Sequence, residues 1–247
     1  HVADVAAFSA TFAAAFSFAE TRDAIVTIGI RPTRAETGFG YLELGEPLGA
    51  MSAGAHRVLR FVEKPDAETA ERYFAGNQHL WNSGMFFFSA ARILAELARH
   101  LPDTFRTLDE VAHALVEKGR GAAAAATARG YPHLESISID HAVMEKTAAI
   151  LTLTGDFGWN DIGAWTALGD VREKDDDGNI VKGLVATHDA HDNIVVAEDG
   201  SLVALVGVCD LIVVKAGDAV LVVPKNRAQD VKAIVEQLKA RHLESFL

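Results

Sequence analysis

A carboxylate stands among aromatic and glycine residues in the stretch GDFGWNDIGAW, residues 155–165. This acid, Asp161, follows the apolar run at residues 149–153, which predicts a buried strand that ends in a loop. Loops at strand ends commonly carry function, and a hard ion such as Mg²⁺ takes one or two carboxylates together with water and phosphate oxygens. Asp161 is therefore a candidate metal ligand. The alternative is that it caps a short helix over IGAWTAL, and the two roles are compatible.

Glu63 and Lys64 are neighbours in the motif FVEKP, residues 61–65. Pro65 halts a predicted strand, and neighbouring side chains at a strand end point in different directions from a rigid backbone. A lysine ammonium suits a phosphate group as a point charge, whereas a glutamate carboxylate accepts hydrogen bonds from sugar hydroxyls. The pair is thus a candidate for binding a sugar phosphate. The alternative is an exposed ion pair at a strand end, which would contribute little to stability.

Two further motifs offer contacts to a small ligand. In WNSGMF, residues 81–86, Asn82 provides an amide that both donates and accepts, and Gly84 leaves room for a close approach. A bulge in an edge strand explains the same residues equally well. In ETGFGY, residues 36–41, the glycines include Gly40, but their spacing matches neither the P-loop nor the dinucleotide fingerprint.

The elements that position these motifs alternate between strands and helices as far as about residue 170. The spacing of Val5, Phe8 and Phe12 predicts an opening helix, and two later helices are predicted to be capped by Asp66 and Asp140. Alternation of this kind indicates an α/β fold built on a largely parallel sheet.

The pattern of apolar and turn residues changes after the polar stretch REKDDDGN, residues 172–179. From residue 180 to residue 223, short apolar runs are separated by turn residues roughly every 8–12 positions, which predicts an all-β unit. An amphipathic pattern then predicts a closing helix. We expect two domains, residues 1–175 and residues 176–247.

The composition limits the class of protein. The chain has 247 residues, 49% of them hydrophobic, which is ordinary for a globular protein with one large or two smaller domains. Its formal net charge of −11 argues against binding to nucleic acid or to an anionic membrane, so a few placed residues must meet any phosphate. A single cysteine, with no long apolar span and no signal-peptide pattern, predicts a cytoplasmic location.

Five motifs in this order resemble the mannose-1-phosphate guanylyltransferase family: TGFGYLE, FVEKPD, WNSGMFFF, SIDHAVMEK and GDFGWNDIGAW. Residues 193–239 also resemble the C-terminal region of that family. The resemblance implies a Rossmann-like nucleotidyltransferase core followed by a small domain that is similar to a left-handed β-helix. It also implies a reaction in which mannose 1-phosphate attacks the α-phosphorus of GTP in line, assisted by Mg²⁺. The products would be GDP-mannose and pyrophosphate.

The resemblance assigns roles to the candidate residues. By motif match, Gly40, Glu63 and Asn82 would hold the sugar, Lys64 would hold its phosphate, and Asp161 would be a metal ligand. Lys64 and Asp161 would be the catalytic residues. Such a transfer depends on positioning and on charge neutralisation more than on a covalent nucleophile, which agrees with the residues found. We expect small-molecule partners, mannose 1-phosphate and GTP, with neither nucleic acid nor membrane, and we allow for a homodimer.

The chain departs from the family pattern at its beginning. Family members carry a glycine-rich loop followed by Arg and a Pro-Leu pair, and a second metal-binding Asp directly before the His-Val with which this chain opens. We therefore expect this chain to be an N-terminally incomplete fragment that is inactive by itself. Two alternatives stay open: a nucleotidyltransferase for another hexose 1-phosphate or nucleoside triphosphate, and a non-catalytic regulatory subunit of the same fold.

Overall fold

Two apolar runs form the centre of the first unit in a computed structural model that describes residues 1–49, 54–163 and 172–246. The run IVTIGI forms β1 (Ile25–Ile30), and ILTLTG forms β5 (Ile150–Gly155). The two strands pair in parallel. Almost every residue of both is buried, which explains why the runs show no polar alternation. This unit comprises residues 2–159.

Further helices and strands surround this pair. In chain order they are α1 (Val5–Arg22), β2 (Tyr41–Pro47), β3 (Ala55–Val62), α2 (Ala67–Gly76), β4 (His79–Phe87), α3 (Ala90–His100), α4 (Pro102–Lys118) and α5 (Arg120–Gly130). A short 3₁₀ turn follows α5, and a π-helical turn covers Asp140–Met144. None of the helices among the described residues is long and apolar enough to cross a membrane.

The five strands of this unit close into a barrel in the order β1–β4–β2–β3–β5. Around the ring, β1 and β5 are parallel, whereas the other pairings are antiparallel. The expectation of a largely parallel sheet is therefore wrong for this part of the chain. Residues 48–54, which join β2 to β3, are fewer than the dozen or so that a parallel crossover requires. The chain that connects β1 to β5 spans most of the unit, so it is long enough for a parallel connection.

Helix α1 covers the barrel with small and aromatic side chains. Ala15 and Ala19 share a buried core with Val26 of β1. The ring of Phe12 meets Phe87 of β4 edge-on, with the two ring centroids 4.5 Å apart. Small alanines let a helix approach a sheet closely, so the helix can hold the strands at a fixed distance. A second buried core contains Ile25, Leu42, Val58, Phe61, Leu80, Ala142, Val143, Met144 and Ile150.

The predicted helix starts have different outcomes. The opening helix is confirmed as α1, and Asp66 caps α2 by accepting the Thr69 N–H at 2.8 Å. The prediction for Asp140 is wrong, because this residue is the first of the π-helical turn rather than its cap. The residue before the turn is Ile139, which has no side-chain cap, and the Ser138 hydroxyl accepts the His141 N–H at 3.4 Å.

The second unit comprises residues 160–247 together with His1. Its elements are β6 (Ile180–Lys182), β7 (Leu184–His188), β8 (Ile194–Ala197), β9 (Leu202–Val206), β10 (Leu211–Ala216), β11 (Ala219–Pro224) and α6 (Val231–Ala240). β6, β8 and β10 stack in parallel, and β7 and β9 form a second parallel pair. Gly183 turns the chain between β6 and β7 with a φ of +97°. Parallel stacking of successive short strands is the arrangement of a β-helix, as predicted.

Two buried asparagines tie successive coils of this unit together. Asn179 and Asn193 each stand directly before a stacked strand. The Asn193 amide donates to Oδ1 of Asn179 at 3.0 Å and to the Val208 carbonyl at 3.1 Å. Its own Oδ1 accepts the Leu211 N–H at 3.0 Å. Because both asparagines are buried, water cannot replace a bond that is lost.

Replacing Asn193 by Ala is expected to lower the free energy of unfolding of the second unit by about 2–4 kcal/mol, because buried partners lose their hydrogen bonds. The matched control is Asn226→Ala, at an exposed residue after β11, which should change that free energy by less than about 0.5 kcal/mol. Hydrogen exchange of residues 180–216 in increasing urea measures both values. Equal stabilities for the two variants would contradict the role given to the buried asparagines.

Candidate functional site

The pairing register of β2 brings three predicted site residues together. Tyr41, the first residue of β2, lies opposite the last residue of β3 and also opposite Trp81 of β4. Because both pairings are antiparallel, Gly40 comes to lie beside Glu63 on one side and Asn82 on the other. The Asn82 N–H donates to the Gly40 carbonyl at 2.7 Å.

Gly40 is buried between its two neighbours. A Cβ built on it would lie 2.5 Å from Oε2 of Glu63 and 3.3 Å from Cβ of Asn82. A side chain at this position would thus displace the Glu63 carboxylate. The glycine is needed for this close approach and not for its backbone conformation, because its φ is outside the left-handed region.

The side chain of Asn82 is held by its oxygen. Oδ1 accepts the Thr27 hydroxyl at 2.9 Å and the Gly84 N–H at 3.2 Å, so a ligand hydroxyl would meet the Nδ2 donors instead. Gly84 has a φ of +74° where β4 shifts its register against β1. The bulge weighed as an alternative for this motif is therefore present. The strand is not at an edge, because β4 pairs with both β1 and β2.

Lys64 and Glu63 form an ion pair, with the lysine Nζ 2.6 Å from Oε1 of the glutamate. The Glu63 side chain is 11% exposed, whereas that of Lys64 is 63% exposed. The hydrogen bond to Glu63 raises the pKa of Lys64 above its ordinary value, and the negative charges of Glu63 and Asp140 act in the same direction. The ion pair weighed as an alternative is thus present, but only its lysine is exposed. It is compatible with a binding role, because it keeps a positive charge at the end of β3.

Asp161 belongs to the second unit. Its side chain is exposed, and Oδ1 accepts the Gly163 N–H at 3.0 Å in a tight local turn. The helix predicted over residues 162–168 lies largely outside the described residues. Within the described ranges, no group of three or more His, Cys, Asp or Glu side chains is arranged to hold a metal ion. An exposed carboxylate nevertheless fits a divalent ion that takes its other ligands from water and substrate phosphate.

The structure also contains a contact that the sequence motifs did not reveal. Thr27 is fully buried in β1 and orients Asn82 from 55 positions away in the chain. The sequence does contain an indication of this contact, because the threonine hydroxyl within the buried run IVTIGI needs a hydrogen-bond partner. Together with Gly40, Glu63 and Lys64, these residues form the candidate site of the first unit.

Comparison with family models places the chain among known proteins. The model described as nucleotidyl transferase matches residues 2–178, which is most of the chain. The chain belongs to the nucleotidyl transferase family. A second model, described as a MannoseP isomerase/GMP-like beta-helix domain, matches residues 183–238, which include the strands β7 to β11. The predicted nucleotidyltransferase core with a following β-helix-like domain is therefore confirmed.

Curated relatives match both units of this nucleotidyl transferase chain. Mannose-1-phosphate guanylyltransferase from Escherichia coli (strain K12) is 40% identical over 240 residues, which cover 97% of this chain and 49% of the relative. Alginate biosynthesis protein AlgA from Pseudomonas aeruginosa is 38% identical over 244 residues, which cover 97% and 49%. The resemblance seen in the sequence motifs is thus confirmed. The chain spans about half the length of these relatives.

A solved structure supports the same family. It is named as mannose-1-phosphate geranyltransferase from Thermus thermophilus, and it is 34% identical to this chain with a TM-score of 0.82. The match covers 97% of this chain and 67% of that one. Nucleotidyl transferases of this family generally use a divalent metal, which agrees with the hard oxygen ligand that Asp161 offers.

Replacing Glu63 by Gln is expected to lower the pKa of the Lys64 ammonium toward its ordinary value of 10.5, because the charged acceptor that holds its proton is removed. NMR titration of the Lys64 ε-carbon resonance measures this shift. The ε-carbon resonance of Lys182, which pairs with Glu198 in the second unit, serves as the internal control and should be unchanged. A Lys64 titration that Glu63→Gln leaves unaltered would show that the ion pair does not form in solution.

Proposed function

We propose that this chain provides the sugar-phosphate side of an enzyme that transfers GMP from GTP to mannose 1-phosphate, giving GDP-mannose and pyrophosphate. The observation that carries the proposal is the contact of Gly40 with Glu63 and Asn82, together with the pairing of Lys64 to Glu63. Donors and acceptors beside a lysine suit a ligand with hydroxyls at one end and a phosphate at the other. Relatives at 40% identity that are named for mannose 1-phosphate support the choice of sugar.

In the proposed reaction, a phosphate oxygen of mannose 1-phosphate attacks the α-phosphorus of GTP. The new P–O bond forms while the bond from the α-phosphorus to the oxygen that bridges it to the β-phosphorus breaks, and pyrophosphate leaves. No covalent enzyme intermediate is needed, so the rate depends on alignment and on neutralising charge. Residues that hold the sugar contribute by fixing the attacking oxygen.

The sugar would be held by Gly40, Glu63 and Asn82. The Glu63 carboxylate accepts hydrogen bonds from hydroxyls, and Nδ2 of Asn82 donates to them. Thr27 and Gly84 occupy the Asn82 oxygen, which fixes the orientation of the amide. The missing side chain at Gly40 lets the Glu63 carboxylate approach closely.

Lys64 would hold the phosphate. Its Nζ donates to Glu63 in the structure, and its exposed side chain can turn from that bond to an incoming phosphate. Glu63 would then turn to a sugar hydroxyl. The exchange replaces one charge-assisted hydrogen bond with two, so the ion pair does not block binding.

Asp161 would bind Mg²⁺ through its exposed carboxylate. When bound, this ion would neutralise phosphate charge that builds up during the transfer. Asp161 is thus the second catalytic residue of the proposal. Three further expectations stay predictions: a boundary between the two domains near residue 175, a cytoplasmic location and a homodimer.

An assay of the complete gene product with a panel of nucleoside triphosphates and sugar 1-phosphates tests the proposed function. We expect the fastest pyrophosphate release with GTP and mannose 1-phosphate in the presence of Mg²⁺, and little release after chelation. A preference for UTP and glucose 1-phosphate would show a different nucleotidyltransferase. A folded protein without turnover on any pair would favour a regulatory subunit.

Replacing Asp161 by Asn in the complete gene product is expected to lower kcat by about 100-fold or more, because the neutral amide binds the metal poorly and its charge stabilisation is lost. Steady-state kinetics at saturating Mg²⁺ measure the effect. The matched control is Asp156→Asn, at an exposed carboxylate in the same motif, which should retain kcat within about threefold. Near-normal turnover of Asp161→Asn would remove this residue from the mechanism.

A further inference from the structure

The motif SIDHAVMEK contains a side chain that reaches the candidate site and has been given no role so far. Oε1 of Glu145 accepts the backbone N–H of Glu63 at 3.0 Å, across 82 positions of the chain. Glu63 is the first residue after β3, and the ladder between β2 and β3 ends one residue earlier. The Glu63 amide therefore lies beyond the sheet, and the Glu145 carboxylate provides the acceptor that a strand would otherwise supply.

The backbone that carries Glu145 is held firmly to the barrel. The residues directly before it, Ala142, Val143 and Met144, are at most 1% exposed and belong to the buried core that also contains Leu42 and Phe61. The Glu145 N–H donates to the Asp140 carbonyl at 2.9 Å, which closes the π-helical turn. A carboxylate on such a support can fix the position of the group that it binds.

The turn that Glu145 contacts needs such support. Lys64 has a φ of +48°, in the left-handed region that residues with side chains rarely adopt. A conformation of this kind persists when surrounding contacts hold it. The hydrogen bond to Glu145 fixes the peptide group that joins Glu63 to the preceding residue. It thereby limits the directions in which the side chains of Glu63 and Lys64 leave the backbone.

We propose that Glu145 is a positioning residue that holds the Glu63–Lys64 turn in the conformation that receives the sugar phosphate. The proposal rests on the proposed function for the identity of the ligand. Glu145 acts through the Glu63 backbone and does not touch the substrate. The Nδ1 atom of His141 is 3.3 Å from the same Oε1 and helps to orient the Glu145 carboxylate.

Two variants separate the hydrogen bond from the charge. Glu145→Ala removes the acceptor, and Glu145→Gln keeps a neutral carbonyl acceptor in a side chain of the same length. In the complete gene product, we expect Glu145→Ala to raise the KM for mannose 1-phosphate about tenfold, a change of about 1.4 kcal/mol. The KM for GTP and kcat should stay within about twofold. Glu145→Gln should restore the KM for mannose 1-phosphate to within about threefold of the original value.

The matched control is Glu135→Ala, at an exposed carboxylate of the segment that precedes the π-helical turn. It should leave all three kinetic constants unchanged. Amide hydrogen exchange of Glu63, measured without substrate, should become faster in Glu145→Ala and stay unaltered in Glu135→Ala. Unchanged exchange in Glu145→Ala would overturn the proposal, as would faster exchange with an unchanged KM for the sugar phosphate.

Calorimetric titration with mannose 1-phosphate distinguishes failure of this proposal from failure of the proposed function. If the protein binds mannose 1-phosphate but transfers no nucleotide, the proposed function fails. A tenfold weaker Kd in Glu145→Ala would then still support the role of Glu145. If the unsubstituted protein does not bind the sugar phosphate at all, both proposals are overturned.

Discussion

The position of β2 between two antiparallel neighbours is the constraint on which the candidate site depends. Leu42 lies opposite Phe61 of β3 and Leu80 of β4, and all three side chains share one buried core. A slip of one residue would turn these apolar side chains to the opposite face, so burial fixes the register. The same register determines which residues are neighbours at the end of the sheet. Core residues outside the candidate site therefore place Gly40 against Glu63 and Asn82, because they fix the register.

Local charge, and not net charge, suits this site to an anionic ligand. The chain carries a formal net charge of −11, which repels phosphate at long range. Charges separated by more than about 8 Å are largely screened at physiological ionic strength, so groups in contact with the ligand dominate. Lys64 is held beside Glu63 at the end of β3. The ion pair that offsets its charge also keeps the ammonium close to the proposed sugar contacts.

The sequence allowed some of these features to be predicted, and the limits have a physical cause. Local patterns predicted β1, α1 and the Asp66 cap, because burial and capping depend on residues close together in the chain. Strand direction is set by pairing between distant segments, so the sheet was wrongly expected to be largely parallel. The contacts of Thr27 and Glu145 were also missed, since their partners are 55 and 82 positions away.

A crystal structure of the complete gene product with mannose 1-phosphate tests the central claim most directly. The account predicts the sugar ring against Gly40, with hydroxyls about 3 Å from the Glu63 carboxylate and from Nδ2 of Asn82. The Nζ of Lys64 should have left Glu63 and should lie about 3 Å from a phosphate oxygen. A sugar phosphate bound elsewhere, with the ion pair between Glu63 and Lys64 intact, would contradict the account.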